Sequence, residues 1–314
     1  MDILQLFLQI LLLAAGFVLL IKGADWFVDG SSSVAARFGI PQLVIGLTIV
    51  AMGTSAPEAA VSITAAFSGN ASITVGNIVG SNILNILIIL GLSAVIVPIA
   101  VAKSTVKYEM PFMIFITVLL LLLGLDGMIG FWDGVILIAF FAAYLTYLFI
   151  MAKRDKANNS EENSEKQITL PKAILFVIIG LSMIILGSNA TVNAASRIAE
   201  MLGMNERFIG LTVVALGTSL PELFTSVSAA RKGNADIAIG NIVGSNIFNI
   251  LFICGISSLI IPVPFAHNFV FDMLVAVGAA ILLTICCIIG KRKLKRWAGV
   301  LLLASYAAYF AAII

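Results

Sequence analysis

The chain has 314 residues, of which 61% are hydrophobic and 11% charged, with a net charge of +2. Soluble domains average about 45–50% apolar and about 25% charged residues, so a water-soluble globule is excluded and an integral membrane protein is expected. The apolar composition names the lipid bilayer as partner, and the near-neutral charge gives no reason to expect nucleic acid.

Long uncharged runs predict an all-α polytopic fold of ten transmembrane helices. In the first half the spans cover about residues 3–27, 40–67, 72–97, 106–125 and 133–151. In the second they cover about 170–195, 206–229, 236–261, 267–290 and 296–313. The first span starts without a basic leader, and its apolar core exceeds the ~7–15 residues of a secretory signal, so it is expected to stay in the mature fold. Ser68-Gly69-Asn70 marks the turn between the second and third spans. Residues 153–167 are polar and charge-mixed without apolar periodicity, which reads as a flexible cytoplasmic linker. The expected organisation is a five-helix repeat at 1–152, a linker at 153–169 and a second five-helix repeat at 170–314.

Basic residues orient these spans. With the N-terminus outside, the cytoplasmic connections hold every Lys and Arg except Lys22, Arg197 and Arg207. This bias on short loops predicts a multi-pass protein of the cell membrane with both termini extracellular and the central linker cytoplasmic. Cys254, Cys286 and Cys287 lack metal-ligand spacing and read as reduced packing residues, and His267 lies far from the Pro-Glu pairs at 57–58 and 221–222.

One stretch occurs twice. Gly46–Glu58 returns as Gly210–Glu222 with 10 of 13 residues identical, and Gly76–Ile86 returns as Gly240–Ile250 with 10 of 11 identical. The offset is 164 in both cases, and Gly23-Ala-Asp25 and Gly187-Ser-Asn189 keep it. The segments beginning at Trp132 and Trp297 correspond at offset 165. Because each half has an odd number of crossings, the second starts on the opposite membrane face, so the repeats are expected to be inverted. Inverted repeats with interrupted helices point to a secondary transporter whose site lies near the bilayer midplane.

The first block predicts a helix break. Pro57 has no N–H to offer the carbonyl of Gly53, so carbonyls around Ala51 to Thr54 are expected to lack helical partners. Glu58 opens the next half-helix beside them, and with the hydroxyls of Thr54 and Ser55 it makes an all-oxygen set suited to hard cations. Gly217 to Glu222 repeats this around Pro221. In the second block Asn77, Ser81 and Asn85 share one helix face, as do Asn241, Ser245 and Asn249. No Lys or Arg is expected inside the membrane to neutralise Glu58 and Glu222. Either they are protonated or a bound cation is their counter-charge: one divalent ion, or two or more monovalent ions. A kinking proline and packing glycines are the plain reading of each feature alone, but their double coincidence with a glutamate favours a cation site. Asp25, Asp29, Glu109, Asp126 and Asp133 read as structural residues at helix ends.

Gly-Thr-Ser-x-Pro-Glu followed by Gly-Asn-x-x-Gly-Ser-Asn-x-x-Asn, duplicated and inverted, resembles the paired motifs of the sodium/calcium exchangers of the calcium/cation antiporter superfamily. The resemblance covers both halves. It implies that Glu58 and Glu222 are the central calcium ligands, helped by backbone oxygens of Thr54 and Thr218. It also implies that the same glutamates serve sodium, with the carbonyls of Ala51 and Ala215 and the side chains of Ser81 and Ser245. Asn85 and Asn249 match the central amide or acid positions, and Ser55 and Ser219 line the same cavity. Potassium-dependent relatives carry aspartate where this chain has Asn249, so the amide leans against potassium co-transport. The short linker implies a prokaryotic type without the regulatory loop of animal exchangers.

The expected protein is therefore an antiporter, with calcium and sodium as transported substrates and no resident cofactor. By the same resemblance, spans one and six slide past the core to alternate access. The site is complete within one chain, so a monomeric functional unit is expected. Proton-coupled exchange at the same site and a cation channel are the alternatives. A membrane-embedded enzyme is disfavoured, because Ser81 has no evident base.

Overall fold

The computed structural model describes residues 3–69, 71–158, 168–204 and 215–313. Its first half contains α1 (Ile3–Phe38), α2 (Gln42–Thr54), α3 (Ala56–Phe67), α4 (Ile73–Ile96), α5 (Thr105–Gly124) and α6 (Phe131–Asn158). Its second half contains α7 (Leu170–Met201), α8 (Ala215–Thr218), α9 (Leu220–Arg231), α10 (Ala235–Ile260), α11 (Phe269–Ile289) and α12 (Arg296–Ile313). Among the described residues eight helices are long and apolar enough to cross a bilayer. A ninth is added if α2 and α3, bent by 52° at Ser55, form one span. The expected span at 206–229 begins outside the described residues; its described part is α8 and α9.

Several boundaries differ from expectation. α1 does not stop near residue 27 but runs to Phe38, because nothing breaks it before Gly39 (φ 65°) and Pro41. Asp25 and Asp29, expected at a water-facing helix end, therefore lie within α1 and engage α9 and the turn after it. Ser228 Oγ donates to Asp25 Oδ1 at 2.6 Å, and Lys232 Nζ sits 2.7 Å from Asp29 Oδ1. Glu109 is not an exposed end residue either: it is 1% exposed and accepts a hydrogen bond from the Tyr147 hydroxyl. Asp126 and Asp133 do act at element ends, accepting from the backbone N–H of Met128 and Gly130. α6 continues to Asn158, so the expected linker starts as helix; 159–167 lie outside the described residues.

α1 and α7 pack antiparallel along a seam of small residues. Gly16 faces Gly187, Gly23 faces Gly180 and Gly30 faces Ala173. Seven-residue spacing keeps the small residues on one stripe, and without side chains between them the backbones come close. A methyl group on Gly23 would lie 2.8 Å from the Gly180 carbonyl oxygen. The outer faces of α1 and α7 leave Phe7, Leu11, Val18, Leu175, Ile178 and Leu186 exposed, as lipid contact requires.

α10 and α4 form the centre, and α10 is buried over nearly its whole length. Gly240 and Gly244 let it approach α2 at Gly46 and Leu47. Short antiparallel strand pairs tie the halves at their rims: β1 (Ile99–Ala100) pairs with β4 (Lys293–Leu294), and β2 (Met128–Ile129) with β3 (Val263–Pro264). α4 and α10 each contain a π-helical turn, at Asn85–Leu90 and Asn249–Cys254. Such turns add a residue without ending the helix, which rotates the remainder of the helix about its axis, and they gather at functional sites. Cys254, Cys286 and Cys287 are free and buried.

Candidate cation-binding site

The bend between α2 and α3 starts the site. Ser55 (φ −82°, ψ 8°) leaves helical geometry, and the chain resumes as helix at Ala56 with Pro57 in the first turn. Pro57 is well placed there, since first-turn N–H groups have no helical acceptor in any case. The break is narrower than expected. The Ala51 carbonyl is not bare: it accepts the Ser55 N–H at 3.0 Å and the Ser245 hydroxyl at 3.3 Å. Ser219 repeats the bend, with α9 beginning at Leu220 and Pro221 in its first turn.

These bends bring the two glutamates together at the centre of the molecule. Glu58 and Glu222 are each 1% exposed and close enough to interact electrostatically. Each has the serine of the other half beside it, bonded in one case. Ser55 Oγ donates to Glu222 Oε1 at 2.8 Å, and Ser219 lies beside Glu58. Thr54, fully buried, donates to Asn241 Oδ1 at 3.0 Å. The half-helices are held from behind by equivalent amides. Asn77 Nδ2 donates to Ser62 Oγ at 2.9 Å and to the Glu58 carbonyl at 3.2 Å; Asn241 Nδ2 meets Ser226 Oγ at 2.9 Å and the Glu222 carbonyl at 3.4 Å.

Four asparagines form the floor. Asn82 Nδ2 donates to the Asn246 carbonyl at 3.3 Å, and Asn246 Nδ2 returns the bond to the Asn82 carbonyl at 3.2 Å. Asn85 Nδ2 donates to Asn246 Oδ1 at 2.9 Å, and Asn249 Nδ2 to Asn82 Oδ1 at 3.0 Å. With their amino ends tied, Asn85 and Asn249 are left with carbonyl oxygens that are buried and have no donor. Glu58 Oε2 and Glu222 Oε2 are in the same condition. Ion pairs among the described residues join Arg197 to Glu200 and Lys232 to Asp25 and Asp29; none reaches Glu58 or Glu222. Buried acceptors without donors are costly, and repeated pairs of them are the chemistry of a site for a hard cation.

Of the residues the sequence singled out, Thr54, Ser55, Glu58, Ser81, Asn85, Ser219, Glu222, Ser245 and Asn249 are all buried. Thr218 is half-buried, Ala51 lies under Ser245, and Ala215 opens α8, which packs against α4. Sequence reasoning missed Asn82 and Asn246. They belong to the repeated block but fall off the Asn77–Ser81–Asn85 face; their identity in both repeats was the available signal.

A multi-pass helical membrane protein with paired carboxylates and an oxygen-rich buried centre is the class these features define. The comparison with known proteins narrows it. The chain belongs to the sodium/calcium exchanger protein family, whose profile matches residues 8–150 and again 172–314. It is 40% identical over 304 residues to CaxA of Alkalimonas amylolytica, covering 94% of this chain and 95% of that one. It is 33% identical over 340 aligned positions to the sodium/calcium exchanger MaX1 of Methanosarcina acetivorans, covering 95% and 96%. The sodium-calcium exchanger NCX_Mj, soaked with zero Na+ and Ca2+, superposes with a TM-score of 0.85 at 34% identity, over 98% of this chain and 100% of that one. The protein is thus a cation antiporter of the prokaryotic type, without a large loop between its halves.

Proposed function

We propose that the protein exchanges sodium for calcium by alternating access, using the inward sodium gradient to extrude calcium. One observation carries this reading: Glu58 Oε2, Glu222 Oε2, Asn85 Oδ1 and Asn249 Oδ1 are buried acceptors without donors, in two equivalent pairs. Calcium takes the two carboxylates, with backbone oxygens of Thr54 and Thr218 completing its shell. Sodium ions take the same carboxylates with Ser81, Ser245 and the carbonyls of Ala51 and Ala215, while Ser55 and Ser219 hold the carboxylates in place. Shared ligands make the two ions competitors, which couples their movements. The names and likeness of MaX1 and NCX_Mj support the ion assignment. If more than two sodium ions enter per calcium, transport is electrogenic, and voltage contributes about 2.3 kcal/mol per charge per 100 mV.

The architecture that serves this mechanism is ten spans in two inverted repeats, 1–152 and 170–314, joined by a cytoplasmic linker at 153–169. Both termini lie outside and the functional unit is one chain. The reciprocal bonds between Asn82 and Asn246, residues 164 apart like the repeats, support a pseudo-twofold axis through the site, as does the family's double match. The small-residue seam supports α1 and α7 as the sliding pair. Exchange against protons is the second reading, since both charged ligands are carboxylates.

Radioactive calcium uptake into sodium-loaded proteoliposomes, diluted into sodium-free or sodium-containing buffer, tests the proposal with Glu58→Gln in parallel. Uptake that requires an outward sodium gradient and disappears in the variant is the expected result. Uptake indifferent to sodium and driven by a pH gradient would replace sodium by protons at the same site. Calcium flux that does not saturate and needs no counter-ion would replace exchange by a channel.

A further inference from the structure

A second buried carboxylate lies away from the exchange site. Glu109, in the π-helical first turn of α5, forms the inner wall of a cavity of about 400 Å³ between α5 and α6. The Tyr147 hydroxyl donates to Glu109 Oε1, whereas Glu109 Oε2 and the Tyr144 hydroxyl are buried with no hydrogen-bond partner. Thr105 lies beside the carboxylate, and its hydroxyl is likewise buried without a partner. Aromatic rings make the walls: Phe112 stacks on Tyr144 at 5.6 Å between centroids, and Phe140 completes that side. Lys107, exposed, stands at the mouth.

We propose that this cavity binds the headgroup of an ethanolamine phospholipid, its ammonium against Glu109 and Tyr144 and its phosphate at Lys107. An aromatic-walled pocket with a carboxylate at its base suits an organic cation. The orphaned oxygens of the two lining residues, Glu109 and Tyr144, narrow the choice to a cation that carries N–H groups, which a choline headgroup lacks. The opposite charge at the mouth fits a phosphate joined to that ammonium. The cavity lies at the start of a membrane span, with Lys103 nearby and Tyr108 and Phe115 exposed toward acyl chains, which is headgroup depth. One carboxylate with two tyrosines is a poor shell for a divalent metal ion.

Native mass spectrometry of the purified full chain tests this with an equimolar mixture of palmitoyl-oleoyl phosphatidylethanolamine and phosphatidylcholine. Retention of the ethanolamine lipid is expected to exceed that of the choline lipid roughly tenfold, the effect of about one charge-assisted hydrogen bond. Glu109→Gln is expected to remove that preference, and Tyr144→Phe, which deletes only a hydroxyl, to reduce it at least about twofold. If Glu109→Gln fails to fold, Tyr144→Phe decides. Equal retention of the two lipids, or a preference that survives in Tyr144→Phe and in any folded Glu109→Gln, overturns the proposal.

Discussion

The asparagine floor makes a prediction about stability and transport together. Asn82→Leu keeps the side-chain size and removes two bonds, Asn82 Nδ2 to the Asn246 carbonyl (3.3 Å) and Asn249 Nδ2 to Asn82 Oδ1 (3.0 Å). Hydrogen bonds between membrane helices average about 0.6 kcal/mol and reach about 1.7. The substitution also leaves the Asn249 amino group buried without an acceptor, which costs about 1–3 kcal/mol. The expected loss is about 2–4 kcal/mol, read as a shift in an SDS unfolding titration of the purified protein. Asn246→Leu removes the two equivalent bonds and should cost the same within about 0.5 kcal/mol, a tolerance usual for comparing independent substitutions. Both variants release an amide, Asn249 or Asn85, from the bond that holds its carbonyl oxygen in place. Calcium affinity in the uptake assay should therefore fall roughly tenfold, since about 1.4 kcal/mol corresponds to one decade. A variant that unfolds more easily yet keeps the wild-type calcium affinity would refute the idea that this floor orients ligands. Unequal losses in the two variants would refute the equivalence of the halves.

Other outcomes rest on the same geometry. Lowering pH should inhibit calcium uptake competitively, because a proton on Glu58 or Glu222 removes the charge that holds the ion; raising calcium should restore the rate. Gly23→Ala places a methyl group against the Gly180 backbone and should destabilise the protein by about 1–3 kcal/mol, measured in the same titration, while slowing exchange if α1 slides along α7. Lys232→Ala breaks half-exposed pairs with Asp25 and Asp29 and should cost less than about 1 kcal/mol, with the effect vanishing in high salt.

Membrane insertion, helix breaks at Pro57 and Pro221, and paired carboxylates are legible in the sequence because each arises from local chemistry. An apolar run has to cross lipid, a proline cannot donate, and a glutamate in an apolar helix needs a counter-charge. The 164-residue repeat makes the two halves comparable without knowledge of any contact. The end of α1 is not legible in the same way, since Asp25 and Asp29 read as a water-facing stop. What engages their carboxylates inside the fold is Ser228 and Lys232, some 200 positions away, which no local pattern announces. Glu109 escapes a local reading for the same reason: its burial depends on Tyr147 from the next helix.

The tertiary structure alone decided which atoms are spoken for. It placed Ser55 on Glu222 rather than on its neighbour Glu58, bonded Ser245 to the Ala51 carbonyl, and joined Asn82 to Asn246. These partners lie 164 to 194 residues apart, and no periodicity along one helix encodes which neighbour a side chain will meet. The sequence by itself determined that oxygens would be gathered inside a bilayer; folding determined that four of them would be left without donors at one place, which makes a cation site out of polar residues.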